Sequence, residues 1–347
     1  MVATVLAFDG TPDQSECFTR SPPMDFALLI EPNLGMTYGQ QVEVAQRAES
    51  AGLDTLYRSD HYQSSPGPEG RETSDAWAVI AGLVRETNRI RFGTLVSPVT
   101  FRHPGNLAKV VATIDHMSDG RVDLGLGSGW LESEHRQYGL AFPDMPTRVD
   151  MLEEQLAIIT GLWGEPDGWS YHGRHYQVEG ARFVPRPLQQ PHPPIILGTR
   201  GAARGVRLAA RYADELNVYY VGPSRAREIF AGLDAECRSI GRDPRSVRHS
   251  VLLGTIVGAD RAETDRRLAA VMQLFGSVES ADQWRADRAD FWILGTPLDT
   301  EPTVAAFAAA GAERVVFQDW IAEDLPMIDL LGSLARKWAG IRSTTQA

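Results

Sequence analysis

Cysteine is almost absent from this chain. Cys17 and Cys237 are the only two among 347 residues, too few and too far apart for a disulfide framework or a CxxC metal pair. Their scarcity fits a reducing compartment, and the cytoplasm is the expected location. Basic charge is also short: 34 Lys and Arg stand against 45 Asp and Glu, a formal net charge of −11. Such a surface repels phosphate backbones and no basic run offsets it, so nucleic acid is not an expected partner. No uninterrupted apolar stretch reaches the roughly 18 residues a membrane helix needs, and no membrane partner is expected. The opening "MVATVLAFDGTPDQSECFTRSPP" puts no basic residue ahead of its short apolar piece and follows it with Asp9, Asp13 and Glu16. It reads as an extension over residues 1–23 rather than a leader peptide. His61, His103, His116 and His135 show neither HxH nor HExxH spacing, which weighs against a metal-dependent hydrolase and for no bound metal.

What the chain does have is a regular alternation. Hydrophobic residues make up 43%, enough for a large core. Short apolar runs recur at residues 25–31, 53–60, 90–98, 121–127, 194–199, 214–220, 247–258 and 313–318. Stretches of helical character follow them, as with Val42, Ala45, Ala48 and Ala51, or the run opened by Pro104 in its first turn. Continuously apolar strands must be covered on both faces, so they are parallel with helical crossovers. Eight such units in one domain over residues 24–345 fit an α/β fold of the (β/α)8 TIM-barrel type; a doubly wound open sheet is the rival. Two stretches read as insertions after strands 4 and 7. Residues 169–194 suggest a hairpin with a Pro-rich linker, and residues 277–299 an extra helix plus loop.

The run "VDLGLGSGWLESEH" at residues 122–135 carries glycines at 125, 127 and 129. A dinucleotide fingerprint needs G-x-G-x-x-G early in a βαβ unit, and this G-x-G-x-G sits on the fourth strand. Two readings stay open: a strand exit that needs positions without Cβ, or a close backbone approach to a flat ligand. Other polar or glycine-rich tips follow predicted strands: "RSDHYQ" at 58–63, "GTLVSPVTFRHP" at 93–104 and "GTRGAARG" at 198–205. In a barrel these tips converge at the C-terminal rim, where active sites collect.

Taken together, "HPGNLAKVVATIDHMSDGRVDLGLGSGWLESEHRQYGLAFP", "SDHY", "GTLVSP" and "PPIILGTRGAARGVRLAARYADELNV" resemble the bacterial-luciferase-like oxidoreductases, in particular the branch that uses the deazaflavin coenzyme F420. The resemblance spans about residues 24–340. It implies a (β/α)8 barrel, commonly a homodimer, that holds a deazaflavin across its mouth and transfers a hydride to or from a small organic substrate with a C=C, C=N or carbonyl/alcohol group. It implies His61 as the proton-transfer residue; imidazole can both give and take protons near neutral pH. It further implies a cofactor site formed by Asp60, Leu95, Val96, Ser97, Ser128, Gly129, Ser133, Gly198, Thr199 and Gly201, with the family's non-prolyl cis peptide between Leu95 and Val96. Glu134 would position a ring, and Arg200 and Arg204 would add charge near the cofactor's phosphate. Sugar-phosphate dehydrogenases of this family carry a glutamate directly after the G-x-G; Trp130 stands there, which argues against that substrate. Trp77, Trp130, Tyr62, Tyr138 and Phe101 are candidates for an aromatic substrate wall. Within the same fold the alternative is an FMN-dependent monooxygenase fed by a separate reductase, in which His135 and Tyr138 resemble positions used for phosphate or oxygen chemistry. Outside enzymology the alternative is a flavin-binding accessory protein.

Overall fold

The computed structural model describes residues 23–67 and 70–341. Cys17 and residues 1–22 of the expected extension lie outside the described residues. In chain order the strands are β1 (Asp25–Ile30), β2 (Thr55–Arg58), β3 (Arg91–Thr94), β4 (Ser97–Pro98), β5 (Val122–Gly127), β6 (Trp169–His172), β7 (Gln177–Ala181), β8 (Ile195–Thr199), β9 (Glu215–Tyr219), β10 (Arg248–Val257), β11 (Trp292–Gly295) and β12 (Arg314–Asp319). The helices are α1 (Tyr38–Ala51), α2 (Ala76–Glu86), α3 (Pro104–Ser118), α4 (Glu132–Tyr138), α5 (Met145–Gly164), α6 (Ala203–Tyr212), α7 (Pro223–Ser239), α8 (Arg261–Leu274), α9 (Ala281–Arg288), α10 (Pro297–Ala309) and α11 (Leu325–Trp338).

The sheet closes on itself. β1 pairs with β2 and β12, and the ring continues through β3, β5, β8, β9 and β10 back to β12, every pair parallel. This is the expected (β/α)8 barrel, and closure rules out the open-sheet rival. Local chemistry starts and stops the helices where the sequence suggests. Thr37 and Gln40 form a capping box on α1, and Gly52 ends that helix in the left-handed region. Asp75 caps α2 through Ala78 N, and Pro104 opens α3.

Both insertions fall where expected. β6 and β7 form an antiparallel hairpin between α5 and β8. The second stretch differs from its expected helix plus loop: after α9, residues 292–295 form β11, which extends the sheet beside the outer half of β10. β10 is ten residues long and has pairing groups left beyond its barrel contacts, so a short apolar piece adds to it. α4 was not expected either, nor was the start of α10. α10 begins with Pro297 and carries Pro302 inside it, a composition that hides a helix from pattern reading.

Side chains fill the barrel in layers. The N-terminal end is plugged by ions: the buried Arg314 guanidinium donates to Glu215 Oε2 and Asp25 Oδ2, each at 2.7 Å, and to the Tyr57 hydroxyl at 2.8 Å. Above this lies an apolar layer of Ala27, Leu29, Tyr57, Leu95, Ile196, Leu252 and Val316. A much larger apolar core lies between strands and helices. With one end plugged and the middle packed, a site has only the C-terminal mouth to occupy.

Candidate functional site at the barrel mouth

His61 stands just past β2 at the mouth. Its Nδ1 lies 3.0 Å from Glu134 Oε1 and 3.2 Å from Oε2. Glu134 is carried by α4, the short helix behind the glycine run, and also accepts from Tyr62 N at 3.0 Å. The carboxylate is 1% exposed and the imidazole 14%. Burial works against a charged ring, but the hydrogen bond and charge of Glu134, helped by Glu31 and Asp60, outweigh it and hold the His61 pKa above its ordinary value. With Nδ1 engaged, no hydrogen bond among the described residues takes Nε2. Trp130, 62% exposed, stands edge-on to the imidazole with ring centroids 5.6 Å apart.

Asp60, next to His61, points into the protein. It accepts from Ser97 Oγ at 2.6 Å and from both terminal nitrogens of Arg102. Arg102 also pairs with Asp75 and reaches the Tyr62 hydroxyl at 3.1 Å. Tyr62 in turn donates to Asp75 at 2.7 Å and stacks on Phe101, with centroids 4.5 Å apart and planes 3° from parallel. This buried knot fixes the backbone that carries His61. Ser97 belongs to it, since its hydroxyl also receives Trp77 Nε1. Trp77 is 2% exposed and is a core residue.

The glycine run is explained by the strand beside it. The peptide between Leu95 and Val96 is cis, and Val96 leans toward β5 and β8. A Cβ on Gly125 would collide with the Thr94 carbonyl oxygen; on Gly127 it would sit 2.6 Å from Val96 Cγ2; on Gly198 it would sit 3.4 Å from Val96 Cγ1. At 125 and 127 the reading of a strand exit that needs no Cβ therefore holds. Gly129 has φ +76° and packs against Pro98 and Thr100. Val96 thus joins the β5 tip to the β8 tip, and Glu134 joins the β5 exit to His61. Ser128 and Ser133, half-buried, lie on that exit.

At the β8 tip, Thr199 Oγ1 accepts from Gly201 N at 3.1 Å. Gly201 has φ +94° and turns the chain into α6, whose Ala202 cap offers no side-chain acceptor. No acid occupies the first turn of α6. This donor set of open backbone N–H groups, a threonine hydroxyl and the exposed Arg200 suits a phosphate. Arg204 does not contribute, because it is engaged by Asp150 and Glu153. His135 is also spoken for. It is buried, with Nδ1 donating to the Leu131 carbonyl at 2.8 Å and Nε2 on Thr100 Oγ1. Among the described residues no cluster of three or more His, Cys, Asp or Glu could hold a metal, and no helix is long and apolar enough to cross a membrane.

Sequence reasoning missed Arg102, the partner of Asp60. It also missed the mouth residues Glu31, Tyr220 and Gln318. Their only signals were a lone arginine after strand three, a charged end on strand one and the aromatic pair closing strand six.

The profile of the luciferase-like monooxygenase family matches residues 17–317. The chain belongs to that family. Among its relatives, an F420-dependent glucose-6-phosphate dehydrogenase from Microbacterium testaceum is 38% identical over 168 residues, 48% of each chain. An F420-dependent hydroxymycolic acid dehydrogenase from Mycobacterium tuberculosis is 28% identical over 280 residues, 78% of this chain and 71% of the relative. The chain spans about half the length of the F420-dependent glucose-6-phosphate dehydrogenases it matches. An F420-dependent secondary alcohol dehydrogenase, solved with an F420–acetone adduct, superposes with a TM-score of 0.73 at 20% identity, covering 90% of this chain and 98% of that one. That likeness establishes the shared fold.

Proposed function

We propose that this luciferase-like chain is an F420-dependent oxidoreductase that moves a hydride between the deazaflavin and a small organic substrate bearing a C=C, C=N or carbonyl/alcohol group. The single observation that carries the reading is the His61–Glu134 pair at the mouth, one imidazole nitrogen held by a buried carboxylate and the other left to the opening. When bound, the coenzyme supplies the hydride. The chain supplies the rest. Glu134 keeps His61 oriented and raises its pKa, so that Nε2 gives the accompanying proton in reduction from the charged ring and takes it in oxidation as the neutral ring. Leu95, Val96 and Ser97 would support the ring, Asp60 anchors that segment through Ser97, and Ser128, Gly129 and Ser133 would hold it from the β5 exit. Gly198, Thr199, Gly201 and the first turn of α6 would hold the phosphate. Trp130 screens the reacting centre from water. The names of the relatives support the coenzyme, while Trp130 in the position of the sugar-phosphate enzymes' glutamate points away from a sugar phosphate.

Fluorescence titration of the full chain with F420 and with FMN tests the coenzyme. Saturable binding of F420 is expected; tight FMN binding with no response to F420 transfers the reading to the FMN-dependent monooxygenase. His61→Ala is expected to slow turnover by about 100-fold or more with F420 affinity retained. Turnover at the wild-type rate in that variant would remove His61 from the mechanism.

A further inference from the structure

Tyr219 closes β9. It lies in register with Leu252 of β10, and residues in register on parallel strands share a face of the sheet. Its side chain therefore points into the barrel, as Leu252 does, and packs on the apolar layer together with Val96. The two side chains converge at the β8 tip: a Cβ on Gly198 would lie 3.4 Å from Val96 Cγ1 and 3.9 Å from Tyr219 Cε1. Tyr219 thus flanks the segment proposed above to support the coenzyme ring. Around the closed sheet β9 stands four places from β2 in either direction, so Tyr219 faces His61 from the opposite side of the mouth.

Aromatic side chains continue outward from it. The Tyr219 ring meets Tyr220 edge-on with centroids 5.6 Å apart, and Tyr220 meets Phe291 in the same way at 6.2 Å. Strand alternation alone would turn Tyr220 away from the barrel. It is held instead at φ +53°, a left-handed conformation that a bulky side chain adopts only where its surroundings impose it. On β10, Gly254 leaves the inward face open and the Trp292 ring takes the space; a Cβ on Gly254 would collide with that ring. Phe291 and Trp292 belong to the insertion after the seventh strand, which therefore completes this side of the mouth. Tyr62, Phe101 and Trp77, expected from the sequence as a substrate wall, serve the buried knot and the core instead.

The two tyrosine hydroxyls differ. That of Tyr220 donates to Gln318 Oε1 at 3.1 Å, and its one proton is engaged. That of Tyr219 has no hydrogen-bond partner among the described residues. The residue is half-buried and its oxygen is not sealed off, so the hydroxyl opens on the mouth. Burial raises its pKa, and Arg200 is the charge that acts on it, so the phenol keeps its proton at neutral pH and presents a donor.

We propose that Tyr219 is a specificity-determining residue, and that the substrate is a flat conjugated carbonyl compound whose body lies along the Tyr219–Tyr220–Phe291 row and whose oxygen accepts from the Tyr219 hydroxyl. A carbonyl oxygen only accepts, which suits a donor with an unclaimed proton. A flat unsaturated body suits a row of ring faces and edges. The inference rests on the F420 reading and narrows the substrate class of that site. With the oxygen held on the β9 side and His61 on the β2 side, the atom that takes the His61 proton is not the carbonyl oxygen. That separation fits a C=C conjugated to a C=O, and does not fit a simple ketone or alcohol.

Carbon-13 NMR of the full chain, labelled at the oxygen-bearing ring carbon of tyrosine, tests this directly, with Tyr219→Phe assigning the signal. Benzylideneacetone is expected to shift the Tyr219 signal, and its saturated analogue 4-phenyl-2-butanone to bind about tenfold more weakly. No shift with benzylideneacetone up to its solubility, or equal affinity for the two ketones, overturns the proposal whether or not the enzyme turns over. Kinetics with reduced F420 and benzylideneacetone give the second readout. Tyr219→Phe keeps the ring and loses the donor, and is expected to lose about fivefold in kcat/KM with F420 affinity retained. Tyr219→Leu loses both, and is expected to lose about 30-fold. Tyr219→Phe at the wild-type kcat/KM would also overturn the proposal, whereas failure of F420 to bind the wild-type chain would count against the coenzyme reading instead.

Discussion

His61 Nδ1 and Glu134 Oε1 stand 3.0 Å apart, joining the tip of the second barrel strand to a short helix behind the fourth. The carboxylate is almost wholly buried and the imidazole nearly so, so the pair is poorly screened by solvent. Among the described residues it is the one place at the mouth where an imidazole is tuned by a carboxylate while keeping a nitrogen open.

Glu134→Gln removes the charge and leaves burial, which lowers the His61 pKa, without its main opponent. The His61 pKa is then expected to fall, and the limb of the pH–rate profile that reports it to move toward acid. Stability follows the same linkage. The folded value is raised above 6.5, so the pair's contribution is fully present below that pH and is lost as pH rises through the folded value. Urea denaturation across this window should show the wild-type advantage over Glu134→Gln shrinking with increasing pH.

Arg102→Met leaves Asp60 buried with its charge partner gone. Side chains 14% and 0% exposed place this pair in the class where removing one partner costs about 3–5 kcal/mol. Asp75→Ala removes the 38% exposed partner of the same arginine and the side-chain cap of α2, and should cost about 1 kcal/mol. Urea midpoints at neutral pH compare the two; a larger loss for Asp75→Ala would contradict this ranking.

Two glycine substitutions should behave oppositely. Gly125→Ala puts a Cβ against the Thr94 carbonyl, backbone that cannot yield without parting β3 from β5, and should destabilise by about 3 kcal/mol or more. Gly39→Ala, near the start of α1 with nothing within 4 Å of the new methyl, should stabilise by about 0.5–1 kcal/mol. Thermal melts of the pair provide the check.

Asp319 at the end of β12 is fully buried. Oδ1 accepts from Ile321 N at 2.9 Å, while Oδ2 has no partner among the described residues. Burial pushes its pKa from 3.8 up to about 7. A raised carboxyl stabilises fully below 3.8 and loses that contribution as pH climbs toward 7. Asp319→Asn does not titrate, so its stability relative to wild type should improve over this interval, by at most about 1.4 kcal/mol per pH unit. A stability difference that stays flat with pH would show that Asp319 is already ionised.

Much of the barrel was legible in the chain, and the reason is local. Apolar runs too continuous to leave a face in water demand parallel strands under helices, and caps such as Thr37, Asp75 and Pro104 mark where those helices begin. β11 escaped because its pairing depends on spare length in β10. The start of α10 escaped because prolines at 297 and 302 obscure its period.

The candidate site was legible as loop tips and not as contacts. His61 and Asp60 stood out beside the motifs of the resemblance, but their roles diverge in space: one ring faces the opening, and the other side chain is tied inward by Arg102. Glycines 125, 127 and 129 could be placed, yet whether a ligand or a neighbouring strand required them was undecidable until Thr94 and Val96 were seen against them.

By itself, then, the amino-acid sequence determined the number, order and direction of the strand–helix units, because hydrophobic periodicity and helix-end chemistry act over a few residues. Only the tertiary structure decided which groups meet at the mouth. Glu31 and Gln318 are 287 residues apart, Tyr220 and Gln318 are 98 apart, and His61 and Glu134 are 73 apart. Closing the sheet into a ring brings them together, and the burial that closure imposes makes their mutual contacts strong.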